Sequence, residues 1–288
     1  MHKAKHLTTR KTCAVLQDHF GLKLTPGGLC QALARVAERV APQYEQLQEK
    51  LCQAPVVHVD ETSWWVDGQL AWLWVFTHAL GTCYFIAQSR GREVLEAVLG
   101  WAFEGVLVSD CLSVYDLPDG LQHKCYAHYL ETIRKGLEAV PAAGREPGAF
   151  LPQAKALLQR ALALGHTRAL DSFDPAAFAQ ERQQLTAAAT ALFALDHTER
   201  PEEIVYNRLT KQHDHLFTFL DHPGVSATNN LAERQLRPAV IARKLSCGNK
   251  TMAGARTFQI LASLAATCAQ TAANFIDLVA TALPLDSS

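Results

Sequence analysis

The chain has 288 residues, of which 49% are hydrophobic, and its formal net charge is −1. This length and composition can bury a full core, as one large domain or two, and they exclude a membrane-spanning protein because no stretch approaches the roughly 18 consecutive apolar residues of a span. Residues 1–12 lack the apolar segment of a signal peptide, and the eight cysteines include no Cys-x-x-Cys pair, which indicates free thiols in a reducing compartment. We therefore expect a cytoplasmic protein.

Residues 1–52 are predicted to be helical. Apolar residues at loosely helical spacing predict a first helix that Gly21 ends. A longer pattern predicts one continuous helix from Pro26 to Leu51. The pair is weakly similar to a helix-turn-helix, but a helical hairpin packed on the main domain is the better interpretation.

Residues 53–140 are predicted to form the first part of an α/β domain. Two apolar strands flank Asp67-Gly68, a strong signal for a two-residue hairpin turn. A third strand follows Gly81, and then a helix, a strand that ends at Asp110, a short strand and another helix. A helix that crosses over to a further strand implies parallel pairing, so the sheet is predicted to be mixed.

Residues 141–222 are predicted to be an all-helical insertion. A segment rich in Pro and Gly is followed by Ala- and Leu-rich helical patterns over 154–164, 175–195 and 201–220, without a strand candidate. Residues 223–288 are predicted to complete the α/β domain. There Thr228 is the expected N-cap of a helix that Pro238 should break or kink, and the amphipathic stretch 253–282 should cover the sheet.

Two apolar strands each end in an aspartate, "VVHVDET" with Asp60 and "GVLVSDC" with Asp110. Strand ends are where many α/β folds place catalytic groups. Both assignments have rivals. Glu61 follows Asp60 but must face the opposite side of the strand, and Asp116 and Asp119 lie in a turn-like "DLPDG" where surface acids are expected.

A third acid and a basic cluster occur in the segment from Asn229 to Arg256. On a helix, Glu233 lies between Asn229 and Arg237 on one face, so Glu233 could be no more than the ion-pair partner of Arg237. Six basic residues accompany this single acid: Arg234, Arg237, Arg243, Lys244, Lys250 and Arg256. A solvated basic face is the simpler interpretation, whereas proximity to a catalytic acid would favour phosphate contacts.

Cys125 and His128 in "HKCYAH" have the spacing of half a zinc site. No second half follows at a suitable distance, so we predict that they hold no zinc. A packed cysteine and a histidine that contacts DNA or the catalytic pocket fit the pattern better.

Five segments, "VDET", "VLVSD", "KCYAH", "TNNLAERQLRPAVIARK" and "GNKTMAGA", together resemble the catalytic core of the insertion-sequence 66 family of bacterial transposases, over about residues 10–280. The resemblance implies an α/β, ribonuclease H-like mixed sheet with a large helical insertion and flanking helices. It also implies an Asp-Asp-Glu triad at Asp60, Asp110 and Glu233 that binds two Mg²⁺ ions, which Mn²⁺ can replace.

The implied partners are transposon-end and target DNA, with the protein as a homo-oligomer in a synaptic complex on the nucleoid. The candidate DNA contacts are Asn229, Asn230, Arg234, Arg237, Arg243, Lys244 and His128. The expected activity is metal-dependent DNA strand cleavage and transfer.

Two departures from the family pattern define an alternative. Relatives usually read Asp-Gly-Tyr at the second acid, whereas Cys111 and Leu112 follow Asp110 here. Relatives also carry a long N-terminal arm that this chain is expected to lack. The alternative is a catalytically impaired remnant that only binds DNA or regulates. A glycoside hydrolase with paired carboxylates is disfavoured by the third acid and the basic motif.

Overall fold

The computed structural model describes residues 7–116, 120–194, 197 and 200–282. The chain forms two compact units. The first unit is Met1–Gly105 with Asn230–Ser288, and the second unit is Val106–Asn229. Among the described residues, none of the helices has the length and apolar character needed to cross a membrane.

The strands are β1 (Val56–Val66), β2 (Gln69–His78), β3 (Gly81–Ala87), β4 (Val106–Ser109) and β5 (Gln122–Lys124). The α-helices are α1 (Thr9–Phe20), α2 (Pro26–Arg39), α3 (Ala41–Cys52), α4 (Glu93–Leu99), α5 (Tyr126–Ala139), α6 (Phe150–Thr167), α7 (Pro175–Leu192), α8 (Glu202–Thr210), α9 (Thr218–Asp221), α10 (Asn230–Ser246), α11 (Met252–Gln270) and α12 (Phe275–Ala282).

The N-terminal helices of the first unit confirm one prediction and correct another. Helix α1 ends at Gly21, which has the left-handed φ of 67° that suits glycine. The single helix predicted from Pro26 to Leu51 is wrong, because the chain leaves helical geometry at Val40 before α3 begins. Pro42 in the first turn of α3 explains the break: proline has no N–H to donate, and its ring would clash with the preceding turn of a continuous helix.

Strands β1, β2 and β3 form an antiparallel meander, as predicted. The β1–β2 turn is the predicted pair Asp67 and Gly68, whose φ angles of 53° and 70° are both positive. A two-residue hairpin of type I′ requires positive φ at both positions.

Helix α11 packs along β3, which confirms that part of the predicted cover by residues 253–282. Alternate backbone N–H groups of β3 donate to side chains spaced one turn apart on α11. The pairs are Thr82 N to Thr267 Oγ1 (3.0 Å), Tyr84 N to Ser263 Oγ (2.8 Å) and Ile86 N to Gln259 Oε1 (3.0 Å). The helix therefore satisfies donors that an edge strand would otherwise expose.

Helix α10 differs from the prediction at its start and at its proline. It begins at Asn230, so the flanking residue is Asn229 and the predicted N-cap at Thr228 is wrong. It also runs through Pro238 to Ser246, so of the break or kink predicted there, the break does not occur. Pro238 removes the hydrogen bond to the Arg234 carbonyl, but both residues are exposed and water can serve that carbonyl.

The second unit contains the parallel pair β4–β5 and helices α5 to α9. Helices α6 and α7 confirm the helices predicted over 154–164 and 175–195. The single helix predicted over 201–220 is wrong, because a 3₁₀ turn at His213–His215 separates α8 from α9. Gln212 before that turn has φ −112° and ψ 21°, outside helical geometry, and its Nε2 donates to Asp116 Oδ1 at 2.9 Å. With antiparallel pairs in the first unit and a parallel pair in the second, the protein is mixed α/β.

Candidate active site

Asp60 lies on the face of β1 that α10 covers. Pairing between β1 and β2 is unbroken from His58 to Val66, so Asp60, Trp64 and Val66 point to the same side of the sheet. Trp64 and Val66 belong to the buried core of the first unit, whose members on α10 are Ala232, Leu236 and Ala239. Asp60 itself is half-buried.

Glu233 lies in the first turn of α10 and is also half-buried. Asp60 pairs with Val75 on β2, and Val75 pairs with Tyr84 on β3. The hydroxyl of Tyr84 donates to the backbone carbonyl of Gln235, two residues beyond Glu233. The cross-strand row that contains Asp60 is thus bonded to the helix that carries Glu233.

Glu61, the rival of Asp60, is held in an ion pair. Its Oε1 accepts from Arg90 Nη2 at 2.6 Å and from Arg90 Nε at 2.8 Å, and its side chain is only 3% exposed. The Arg90 guanidinium also lies 4.3 Å from the centre of the Trp72 ring. These contacts give Glu61 a structural partner.

Asp110 follows β4 in the second unit and is half-buried. Its Oδ1 accepts from the backbone N–H of Leu112 at 2.9 Å, and Ser109 Oγ donates to its carbonyl at 2.9 Å. These bonds fix the turn that presents the carboxylate.

Asp116, a rival of Asp110, was predicted to be a surface acid, and its side chain is 20% exposed. It forms ion pairs with Lys124 at 3.0 Å and with Lys211 at 2.7 Å. Burial alone would raise the pKa of Asp116, but its hydrogen bonds and charge interactions with the two lysines outweigh burial and lower it. The carboxylate of Asp116 is therefore paired with two cations. Asp119, the other rival, lies outside the described residues.

The basic residues of α10 fall into two groups. Arg234, Arg237 and Lys244 are exposed and form no ion pair within the part of the chain that the structure describes, so the ion pair considered between Arg237 and Glu233 does not form. Arg243 is different. Its Nη1 donates to Thr62 Oγ1 at 2.8 Å and, at 2.7 Å each, to the carbonyl and hydroxyl oxygens of Ser63, so this side chain fastens α10 to β1. A DNA contact by Arg243 stays a prediction.

The remaining candidates lie around the start of α10 and on α5. Asn229 is 1% exposed, and its backbone N–H donates to Cys125 Sγ at 3.2 Å. Asn230 is exposed, whereas His128 is half-buried. Of these three residues, Asn230 has the exposure expected of a DNA contact.

A family model described as "Transposase IS66 family" matches residues 1–257. The chain belongs to the IS66 transposase family. No curated protein matches it at a significant level. Family membership confirms the resemblance drawn from the sequence motifs and supports a transposase role with DNA as the partner.

Cys111 follows Asp110 at the position where the family resemblance implies a glycine. Cys111 is not among the residues with positive φ in the described chain, so its backbone does not need the freedom of glycine. Burial, the largest influence, raises the pKa of the Cys111 thiol to about 12. At neutral pH the side chain is therefore an uncharged thiol beside Asp110, and it adds no charge to the site.

Proposed function

We propose that this IS66 family transposase catalyses DNA strand cleavage and strand transfer at the ends of an insertion sequence, with Asp60, Asp110 and Glu233 as its catalytic acids. The observation that carries the proposal is the position of Asp60 on the sheet face covered by the helix of Glu233. A half-buried carboxylate on a strand, beside a helix that brings a second one, suits phosphodiester chemistry better than a purely structural role.

The ion pairs of the neighbouring acids are the second support for this assignment. Glu61 is paired with Arg90, and Asp116 is paired with two lysines. Asp110 forms no ion pair within the described part of the chain. Asp110 is thus distinguished from Asp116, its neighbour in the same segment, by the absence of a paired cation among the described residues.

The donor set fits the divalent metal that such chemistry requires. All three side chains offer hard carboxylate oxygens, which Mg²⁺ prefers, and Mn²⁺ accepts the same ligands. Backbone N–H groups orient the carboxylates of Asp60 and Asp110. Asp60, Asp110 and Glu233 would hold the two ions. Such ions supply Lewis-acid stabilisation of the charge that develops on the reacting phosphate.

The protein's own groups position the reactants. Water is the nucleophile for nicking and a 3′-hydroxyl is the nucleophile for joining. Exposed cations on α10 bind the phosphates that flank the reacting bond, and copies of the chain bring two transposon ends together in a synaptic complex.

We propose a ribonuclease H-like arrangement, with residues 53–140 and 223–288 as catalytic domain, 141–222 as helical insertion and 1–52 as N-terminal segment. The order of strands and helices supports it.

The test is a strand-transfer assay with a labelled duplex that carries the element's own end, an unlabelled target, and Mg²⁺ or Mn²⁺. We expect a nick at the end and a joined product, both of which should disappear when the metal is chelated. Retained DNA binding without cleavage in either metal would instead identify the chain as an inactive DNA-binding or regulatory remnant.

The exposed cations of α10 predict the salt dependence of DNA binding. The triple variant Arg234→Ala, Arg237→Ala, Lys244→Ala should lower the slope of log affinity against log salt by about 0.9 for each phosphate contact that is lost. Arg134→Ala on α5 is the matched control, because Arg134 is already paired with Glu131 and Glu138. Titrations at several salt concentrations measure both slopes. Equal slopes for the triple variant and the unmodified protein would contradict a phosphate-binding role for this helix.

A further inference from the structure

A lysine is buried next to the turn that carries Asp110. Lys124 is the last residue of β5, and its side chain is 2% exposed. In the parallel pair β4–β5 it lies opposite Ser109, the last residue of β4. Burial of an ammonium group carries a large desolvation free energy unless the group is paired. The buried lysine in the second unit is therefore expected to have a role that an apolar side chain could not fill.

The partners of Lys124 lie at the two ends of one short segment. Its Nζ donates to Ser109 Oγ at 3.1 Å and pairs with Asp116 Oδ1 at 3.0 Å. Asp116 is held from its other side by Lys211 Nζ at 2.7 Å and by Gln212 Nε2 at 2.9 Å. Lys124 therefore binds a carboxylate whose own position is fixed, and it joins residue 109 to residue 116.

The segment between these ends carries Asp110. The Ser109 hydroxyl accepts from Lys124 and donates to the Asp110 carbonyl. The Asp110 carboxylate in turn accepts from the Leu112 N–H. A continuous series of bonds thus runs from the Lys124 ammonium to the backbone that orients the Asp110 carboxylate.

We propose that Lys124 is a positioning residue for Asp110: by binding Ser109 and Asp116 together, it holds the 109–116 turn in the shape that presents the carboxylate to a divalent cation. This inference rests on the proposed function, because it takes Asp110 as a metal ligand. Groups that orient a ligand from behind typically contribute about 10- to 100-fold to metal affinity. Lys124 needs no contact with metal or DNA to have such an effect.

The experiment measures the affinity of the full chain for Mn²⁺ alone, by electron paramagnetic resonance of the free ion, in parallel with thermal unfolding. Lys124→Met keeps the length of the side chain and removes its charge and donors, and we expect Mn²⁺ affinity to fall by about 10-fold. Lys124→Arg should restore part of the loss, because a guanidinium can still bind both oxygens. Leu185→Ala is the control for stability, since Leu185 is buried in α7 of the same unit. It should lower the unfolding temperature without changing Mn²⁺ affinity.

Ser109→Ala keeps the ion pair of Lys124 with Asp116 and removes the hydroxyl that bonds Lys124 to the Asp110 backbone. It therefore decides the matter if Lys124→Met fails to fold. Its Mn²⁺ affinity should also fall. Wild-type affinity in either folded variant, while Asp110→Asn binds weakly, would overturn the role of Lys124 alone. Wild-type affinity in Asp110→Asn would overturn the assignment of Asp110 as a metal ligand, and with it this part of the proposed function.

Discussion

Replacing Asp60, Asp110 or Glu233 by its amide, as in Asp60→Asn, should reduce strand cleavage by on the order of 10³-fold or more while leaving the protein folded. Each substitution keeps the size of the side chain and removes the negative charge that a divalent cation requires. Cleavage of a labelled transposon end in Mg²⁺ or Mn²⁺ measures the loss, and circular dichroism with thermal unfolding checks the fold.

The structure offers a matched control for this prediction. Glu61→Gln alters the acid next to Asp60, but Glu61 is engaged by Arg90, so cleavage should stay near the wild-type rate. An amide variant of a proposed catalytic acid that cleaves normally would remove that residue from the triad. Loss of cleavage in Glu61→Gln, with normal cleavage in Asp60→Asn, would reverse the assignment between the two neighbours.

The second large effect concerns stability. Trp64→Ala should lower the free energy of unfolding by about 3–5 kcal/mol, the usual cost of truncating a large buried aromatic residue. Trp64 is fully buried, its ring centre is 4.9 Å from that of Phe258, and its Nε1 donates to Asn249 Oδ1 at 2.9 Å. The substitution leaves both a cavity and an unsatisfied acceptor beneath α10.

The neighbouring tryptophan provides the comparison. Trp65 is 38% exposed, and Trp65→Ala should cost less than about 1.5 kcal/mol, because much of its side chain already contacts water. Urea unfolding followed by circular dichroism at 222 nm gives both values. Similar losses for the two variants would contradict the placement of Trp64 in the core that joins β1 to α10.

Local patterns in the sequence predicted most elements of the two units. The Asp67-Gly68 turn, the three antiparallel strands and the alternation that separates Asp60 from Glu61 all follow from properties of a few adjacent residues. The breaks between helices were harder to predict. Pro42 acts only at the first turn of α3, whereas Pro238 is tolerated because its surroundings are exposed.

Features that depend on distant partners could not be predicted. Nothing in the sequence near Asp116 indicates that Lys211, 95 positions later, will pair with it. Lys124 was missed for the same reason, because the polar Gln122 and His123 before it give no sign that this lysine is buried. Arg243 looked like any other cation of the basic segment, and only the fold shows its bonds to Thr62 and Ser63.

The side chains of α11 along β3 also limit how copies of this protein can associate. A strand with unsatisfied edge groups invites a strand from another molecule, which leads to β-augmentation or to aggregation. Here alternate N–H groups of β3 are bonded to Gln259, Ser263 and Thr267, and the Thr82 carbonyl accepts from Thr267 as well. An incoming peptide would have to displace that helix before it could extend the sheet at this strand. The proposed assembly of copies on DNA should therefore proceed through side-chain surfaces and not by adding strands at β3.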